Sequence, residues 1–299
     1  MKEKVIDYNF ISKLDAIKLN LNPTMQGYFG GNHRMKKCGQ SIEFADFREY
    51  VLGDDIRHID WNLYSRFEKH FIKLFVDERQ MHIQIFLDCS ASMHKMDPDK
   101  SNYAIKAVAG LAYLSAKNLD KTSIRLVQGK ELEDLCGIVT GKDTLFRALG
   151  HLETIKFKGE SDFEQAILKS ENLGKNDGLT IIISDFLTEN NWKKAVDYLV
   201  YRKRQVLLVQ VLSPEEMNPA YHGRMQLVDA EAIDIMDDKN MRMKITRSSL
   251  KVYKEALKDY VEEIRNFCNG RGVSFISVCS TDPIENLLFR KLMGAGVIK

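Results

Sequence analysis

Apolar positions along this chain change their period from segment to segment, and those changes lay out the elements. Ile6, Phe10, Leu14, Ile17 and Leu21 recur at helical spacing over 4–21, until Asn22-Pro23 ends the run. Residues 69–77 read as extended and lead into the apolar strand His82-Ile83-Gln84-Ile85-Phe86-Leu87. The spacing predicts a helix over 101–117 that is apolar nearly all round, through Ala104, Ile105, Val108, Leu111 and Ala112, and so buried against a sheet. Strands 123–128 and 131–138 flank Gly129-Lys130, a hairpin signal that adds an antiparallel edge. Helices 142–152 and 162–172 precede the apolar strand 179–183, helix 191–201 follows it, and 205–212 is the next strand. Stretches 225–236 and 241–246, parted by Asp237-Asp238-Lys239-Asn240, read as an inserted hairpin. A long helix then carries Leu250, Tyr253, Leu257, Tyr260, Ile264 and Phe267 on one face, stops at Gly270 and Gly272, and delivers strand 273–278 before a closing helix over 284–293. The alternation predicts an α/β fold: a doubly wound, mostly parallel sheet flanked by helices, with an N-terminal extension over 1–80 and the sheet domain over 81–299.

Composition narrows the classes. At 299 residues, 44% hydrophobic and 29% charged, the chain is globular and long enough for a large core. The 44 basic and 42 acidic residues leave a formal charge of +2, which is no footprint for nucleic acid or anionic membrane. Cys38, Cys89, Cys136, Cys268 and Cys279 are odd in number and form no C-x-x-C pair, as suits free thiols in a reducing compartment. Charges at Lys2, Glu3, Lys4 and Asp7 interrupt any signal-peptide core, and no run is long enough to span a bilayer, so the expected location is cytoplasmic.

Candidate chemistry gathers at strand ends. Asp88-Cys89-Ser90-Ala91-Ser92 follows the first core strand, Ser161 lies in Gly159-Glu160-Ser161-Asp162, and Asp185 follows the strand that ends at Ser184. In an open α/β sheet, ligands bind at the carboxyl ends of parallel strands. Carboxylates and hydroxyls are hard donors, suited to Mg²⁺ or Mn²⁺. Each motif alone reads as readily as a helix cap, and Ser161-x-x-Glu164 has the form of a capping box. Their joint occurrence in this order of elements points to a metal site. Cys89, without a histidine partner, reads as a buried structural thiol. No histidines have zinc spacing, and the basic stretch His33–Lys37 reads as a solvated loop.

These motifs resemble the metal-ion-dependent adhesion site of a von Willebrand factor A domain. The preceding Glu43-Phe44-x-Asp46-x-Arg48-Glu49-Tyr50-x-x-Gly53-Asp54-Asp55-x-Arg57-x-Ile59-Asp60-Trp61 resembles the signature of the bacterial domain-of-unknown-function-58 family. The resemblance implies a von Willebrand factor A-like, Rossmann-like sheet and a cation held by Asp88, Ser90, Ser92, Ser161 and Asp185. One coordination position stays open for a partner's carboxylate. It also implies a MoxR-type AAA+ ATPase as partner. Ser161 stands where Thr is usual, which keeps the oxygen but loses the methyl that fixes the rotamer. Arg48, Asp54, Asp55, Arg57, Asp60 and Trp61 read first as a structural ion-pair network with turn-capping aspartates and a buried tryptophan, and second as a partner surface.

Three function classes follow. A metal-dependent protein-binding module fits best. A metal-assisted phosphohydrolase using Asp88 lacks a second Asp two residues on and any Lys fixed by motif near the cation, so no catalysis is expected. A nucleic-acid binder is disfavoured by the balanced charge.

Overall fold

The charged and aromatic segment ahead of the first core strand folds on itself as a small antiparallel unit. A computed structural model of the chain describes residues 12, 43–76, 81–94, 100–117, 119–152, 154–169, 178–188, 192–220, 223–227 and 241–294. Residues 43–76 belong to one compact unit and 81–294 to another. The helix expected over 4–21, apart from residue 12, lies outside the described residues, as do His33–Lys37, Cys38 and 228–236 of the expected hairpin.

In the smaller unit β1 (Glu43–Glu49) pairs antiparallel with β2 (Phe71–Val76). Short polar side chains make the connection. Asp54 accepts from the Val51 amide at 2.9 Å beside Gly53, whose φ of 109° a side chain would oppose. Asp55 accepts from the Arg57 amide at the start of the 3₁₀ turn Ile56–His58. Asp60 caps α1 (Trp61–Phe67) through the amides of Asn62 and Leu63. Arg48 pairs with Asp54 at 2.8 Å, Arg57 with Asp55 at 2.7 Å and Lys73 with Asp60 at 3.0 Å, so every one of these pairs is local to the unit. The expected buried tryptophan is corrected here: Trp61 is 61% exposed, because α1 buries none of its residues.

Ile181-Ile182-Ile183 and Val206-Leu207-Leu208-Val209 are apolar on both faces, which suits strands covered on both sides. They belong to the larger unit, which runs β3 (His82–Asp88), α2 (Lys100–Lys117), β4 (Lys121–Gln128), β5 (Glu131–Thr140), α3 (Lys142–Leu152), α4 (Phe163–Leu168) and β6 (Leu179–Ser184). It continues with α5 (Trp192–Tyr201), β7 (Gln205–Leu212), α6 (Pro214–Met217), the antiparallel pair β8 (Gly223–Leu227) and β9 (Met241–Ile245), α7 (Arg247–Asn269) and β10 (Ser274–Cys279). The sheet order is β10-β7-β6-β3-β4-β5, parallel except for β5 at its edge. This is the doubly wound α/β fold. Phe86, Ile182, Val206 and Leu208 meet Phe163 of α4, Trp192 and Leu199 of α5, and Ile264 of α7 in one core cluster. α2 is buried along nearly its whole length and contacts β3, β4 and β7. The chain leaves β3 for β4 on one side and returns to β6 on the other, so the crevice between the ends of β3 and β6 is the topological switch point.

Two expectations change in detail. The closing helix is a π-helical turn, Asn286–Lys291, that runs into Leu292–Gly294. Of residues 162–169, the described part of the expected 162–172 helix, Phe163–Leu168 are helical and Asp162 is the N-cap. No helix among the described residues is long and apolar enough to cross a membrane.

Candidate metal centre

At the end of β3 the chain turns on its own side chain. Asp88 Oδ1 accepts from the Ser90 amide at 2.9 Å, and the Cys89 amide donates to the Val127 carbonyl, holding the turn to β4. Ser90 occupies the N-cap of the short 3₁₀ turn Ala91–Met93, yet its hydroxyl makes no cap bond. It faces Ser92 Oγ at 3.0 Å instead. A serine placed to cap but not capping weakens the reading of this motif as mere helix punctuation.

Loop 158–162 is laced to that turn by backbone bonds, Lys158 to Cys89 and Ala91 to Gly159, and to β4 through Gly129. It buries Ser161 to 1% exposure. Ser161 Oγ donates to the Val127 carbonyl at 3.0 Å and also lies in hydrogen-bond contact with Asp88. The capping box that Ser161-x-x-Glu164 offers as the alternative reading does not form. Asp162, one residue later, caps α4 through the Gln165 amide, leaving the Ser161 hydroxyl beside Asp88.

Asp185 follows β6. Its Oδ1 accepts from the Leu187 amide at 3.0 Å and its carbonyl from Gln210 Nε2. Phe186 then takes φ 54°, a left-handed value costly for an aromatic residue. It is held there by Ser184 Oγ, which accepts its amide, by burial against Phe163 and Trp192, and by Tyr260 Oη, which donates to its carbonyl. Ser184 Oγ donates to Asp88 Oδ2 at 2.5 Å, joining the ends of β3 and β6.

Asp88, Ser90, Ser161 and Asp185 are thus brought together and are each at most 2% exposed, while Ser92 is half-buried. Burial, and next the charge of Asp185, push the Asp88 carboxyl above its ordinary value, against bonds from Ser184, Ser161 and the Ser90 amide. Two buried carboxylates with hydroxyls around them fit a small hard cation, whose charge would relieve that repulsion. Among the described residues no group of three or more His, Cys, Asp or Glu is placed to hold a metal, so a cation here would rest on two carboxylates, serine hydroxyls and water.

A residue that sequence reasoning passed over lies against the site. Lys100, the first residue of α2 and 0% exposed, donates to Asp185 Oδ2 at 2.7 Å and Glu216 Oε1 at 2.6 Å. Burial works against its ammonium, but Asp185 and Glu216 outweigh it and hold its pKa above the usual lysine value. Lys100 comes from the start of α2, where no motif marks it. Glu216 is fixed by a capping box with Ser213 in α6, which Ser213-Pro214-Glu215-Glu216 does signal. Cys89 is 1% exposed and its thiol is pushed up by burial, then by Asp88 and Glu133. Arg48, Asp54, Asp55, Arg57, Asp60 and Trp61 all lie in the smaller unit.

Among curated proteins, the chain is similar to uncharacterized proteins of Mycobacterium tuberculosis and Mycobacterium bovis. Each is 23% identical over 237 residues, covering 78% of this chain and 74% of the relative. Among solved structures it is similar to the conserved hypothetical protein BatB from Bacteroides thetaiotaomicron, with 14% identity and a TM-score of 0.44 over 72% of this chain and 98% of that one. It is also similar to the SpRpn10 VWA domain, with 8% identity and a TM-score of 0.38 over 70% of this chain and 94% of that one. Manganese-loaded Plasmodium vivax TRAP protein gives 14% identity and a TM-score of 0.34, over 44% and 57% of the two chains. Residues 46–255, more than half of the chain, match the family described as Protein of unknown function DUF58, and the chain belongs to that family.

Proposed function

We propose that this protein is a metal-dependent protein-binding module. Asp88, Ser90, Ser92, Ser161 and Asp185 hold Mg²⁺ or Mn²⁺, and the remaining coordination position takes a carboxylate from a partner. The observation that carries this reading is the burial of Asp88 and Asp185 at the switch point, with the hydroxyls of Ser161 and Ser184 on Asp88 and Ser90 beside it. A cation held largely by neutral oxygens keeps its appetite for an anionic ligand. Ser92, the least buried of the set, marks the side from which a partner would reach it. The partner we propose is a MoxR-type AAA+ ATPase, on the strength of the family resemblance in the Glu43–Trp61 segment. The protein is expected to act in the cytoplasm.

Catalysis is not part of this proposal. Lys100 beside a strand-end aspartate is the feature that favours a phosphohydrolase, but its ammonium is buried and committed to two carboxylates. A nucleophilic Asp88 would have to reach the substrate directly, and its side chain is 2% exposed and already bonded to Ser184 and the Ser90 amide. Co-purification with a MoxR-type ATPase should fall on addition of EDTA and in Ser90→Ala, with the mutant folded by circular dichroism. Association that withstands both would contradict the bridging role of the metal.

A further inference from the structure

Lys100 is clamped between two carboxylates that are themselves held in place. Asp185 Oδ1 is tied to the Leu187 amide. Glu216 Oε2 accepts from the Ser213 amide at 2.8 Å, its own amide donates to Ser213 Oγ at 3.1 Å, and its carbonyl accepts from Tyr253 Oη of α7 at 3.0 Å. With side chains 0%, 2% and 8% exposed, Lys100, Asp185 and Glu216 have little water to screen them. The ammonium is therefore a resident positive charge that shares a carboxylate, Asp185, with the proposed cation. Asp88, Asp185 and Glu216 set against Lys100 leave two negative charges uncompensated when all are ionised, which one divalent ion balances.

We propose that Lys100 is the built-in counter-cation that sets the metal affinity of this site: its charge on Asp185 keeps binding weak enough to be reversible, and Glu216 moderates it by drawing part of that charge away. The proposal rests on the reading that Asp88, Ser90, Ser92, Ser161 and Asp185 hold the ion. Two like charges sharing one buried carboxylate repel with little screening. The ammonium also takes lone-pair density from Asp185 that would otherwise go to the metal. Removing the lysine charge should tighten metal binding. Removing the Glu216 charge, which leaves Lys100 wholly to Asp185, should weaken it.

The test is Mn²⁺ binding to the full chain by isothermal titration calorimetry, with each variant checked by circular dichroism. Lys100→Met is expected to lower the Kd at least tenfold and Glu216→Gln to raise it severalfold, while Asp88→Ala abolishes binding. Should Lys100→Met fail to fold, Glu216→Gln decides alone, and a Kd at or below that of wild type overturns the proposal. Binding by wild type, lost in Asp88→Ala but unchanged in both Lys100→Met and Glu216→Gln, would overturn the role of Lys100 and leave the metal site standing. Mn²⁺ binding by neither wild type nor Lys100→Met would overturn both.

Discussion

His82 shows how strongly this sheet decides protonation one residue at a time. At the start of β3, its ring lies against Ser123 Oγ at 3.1 Å, and its pKa is pushed down to about 4, first by burial and then by Arg204, Arg125 and Lys121. Its ordinary value is 6.5, so between about 6.5 and 4 the unfolded chain takes up a proton that the native protein refuses. That residue's contribution to stability is whole above pH 6.5 and is lost as pH falls toward 4. In His82→Gln the urea midpoint should fall less over that window than in wild type. Equal slopes for the two proteins would contradict this account. Asp88 is displaced the opposite way, upward, and for a carboxylate that works against stability as pH rises through its native value.

Elements were legible where periodicity was strong. Helix 101–117, the hairpin at Gly129-Lys130 and the strands ending at Asp88 and Ser184 all stand as expected, because their apolar spacing reports burial directly. Which residue caps α4 is not legible in the sequence, because Ser161 and Asp162 are both good caps and only the geometry of the loop chooses between them. Trp61 was misread because size and aromaticity argue for burial, whereas its helix presents no face to a core. Lys100 and Glu216 were not legible as a pair, since 116 residues separate them and only the winding order brings them together. The start of β6 depends on a close approach that sequence does not advertise. A Cβ on Gly178 would lie 2.3 Å from the His82 carbonyl oxygen and 2.5 Å from Arg204 Nη1. Neither neighbour can retreat, because the carbonyl is backbone and Arg204 is bonded to Thr180, His82 and Leu179. Gly178→Ala should therefore cost about 3 kcal/mol, the upper end for overpacking. A urea denaturation midpoint unchanged from wild type would show that β3 and β6 can separate there.

Across the whole molecule, the doubly wound order places the ends of β3 and β6 side by side, and that arrangement brings Asp88 within reach of Ser184 and of the charge of Asp185. Lys100 from α2, held between Asp185 and Glu216 of α6, answers part of the buried negative charge. Tyr253 and Tyr260 tie α7 to α6 and to the loop after β6. A divalent ion is proposed to answer the rest, and a ligand bound only by the native state stabilises it by mass action, about 2.7 kcal/mol at a hundredfold excess over its Kd. The direct measurement is the melting temperature of wild type and Asp88→Ala in EDTA and in saturating Mn²⁺. A rise with Mn²⁺ in wild type that is absent from the folded mutant is the predicted result. Identical responses of the two proteins to metal and chelator would contradict a cation bound at the end of β3.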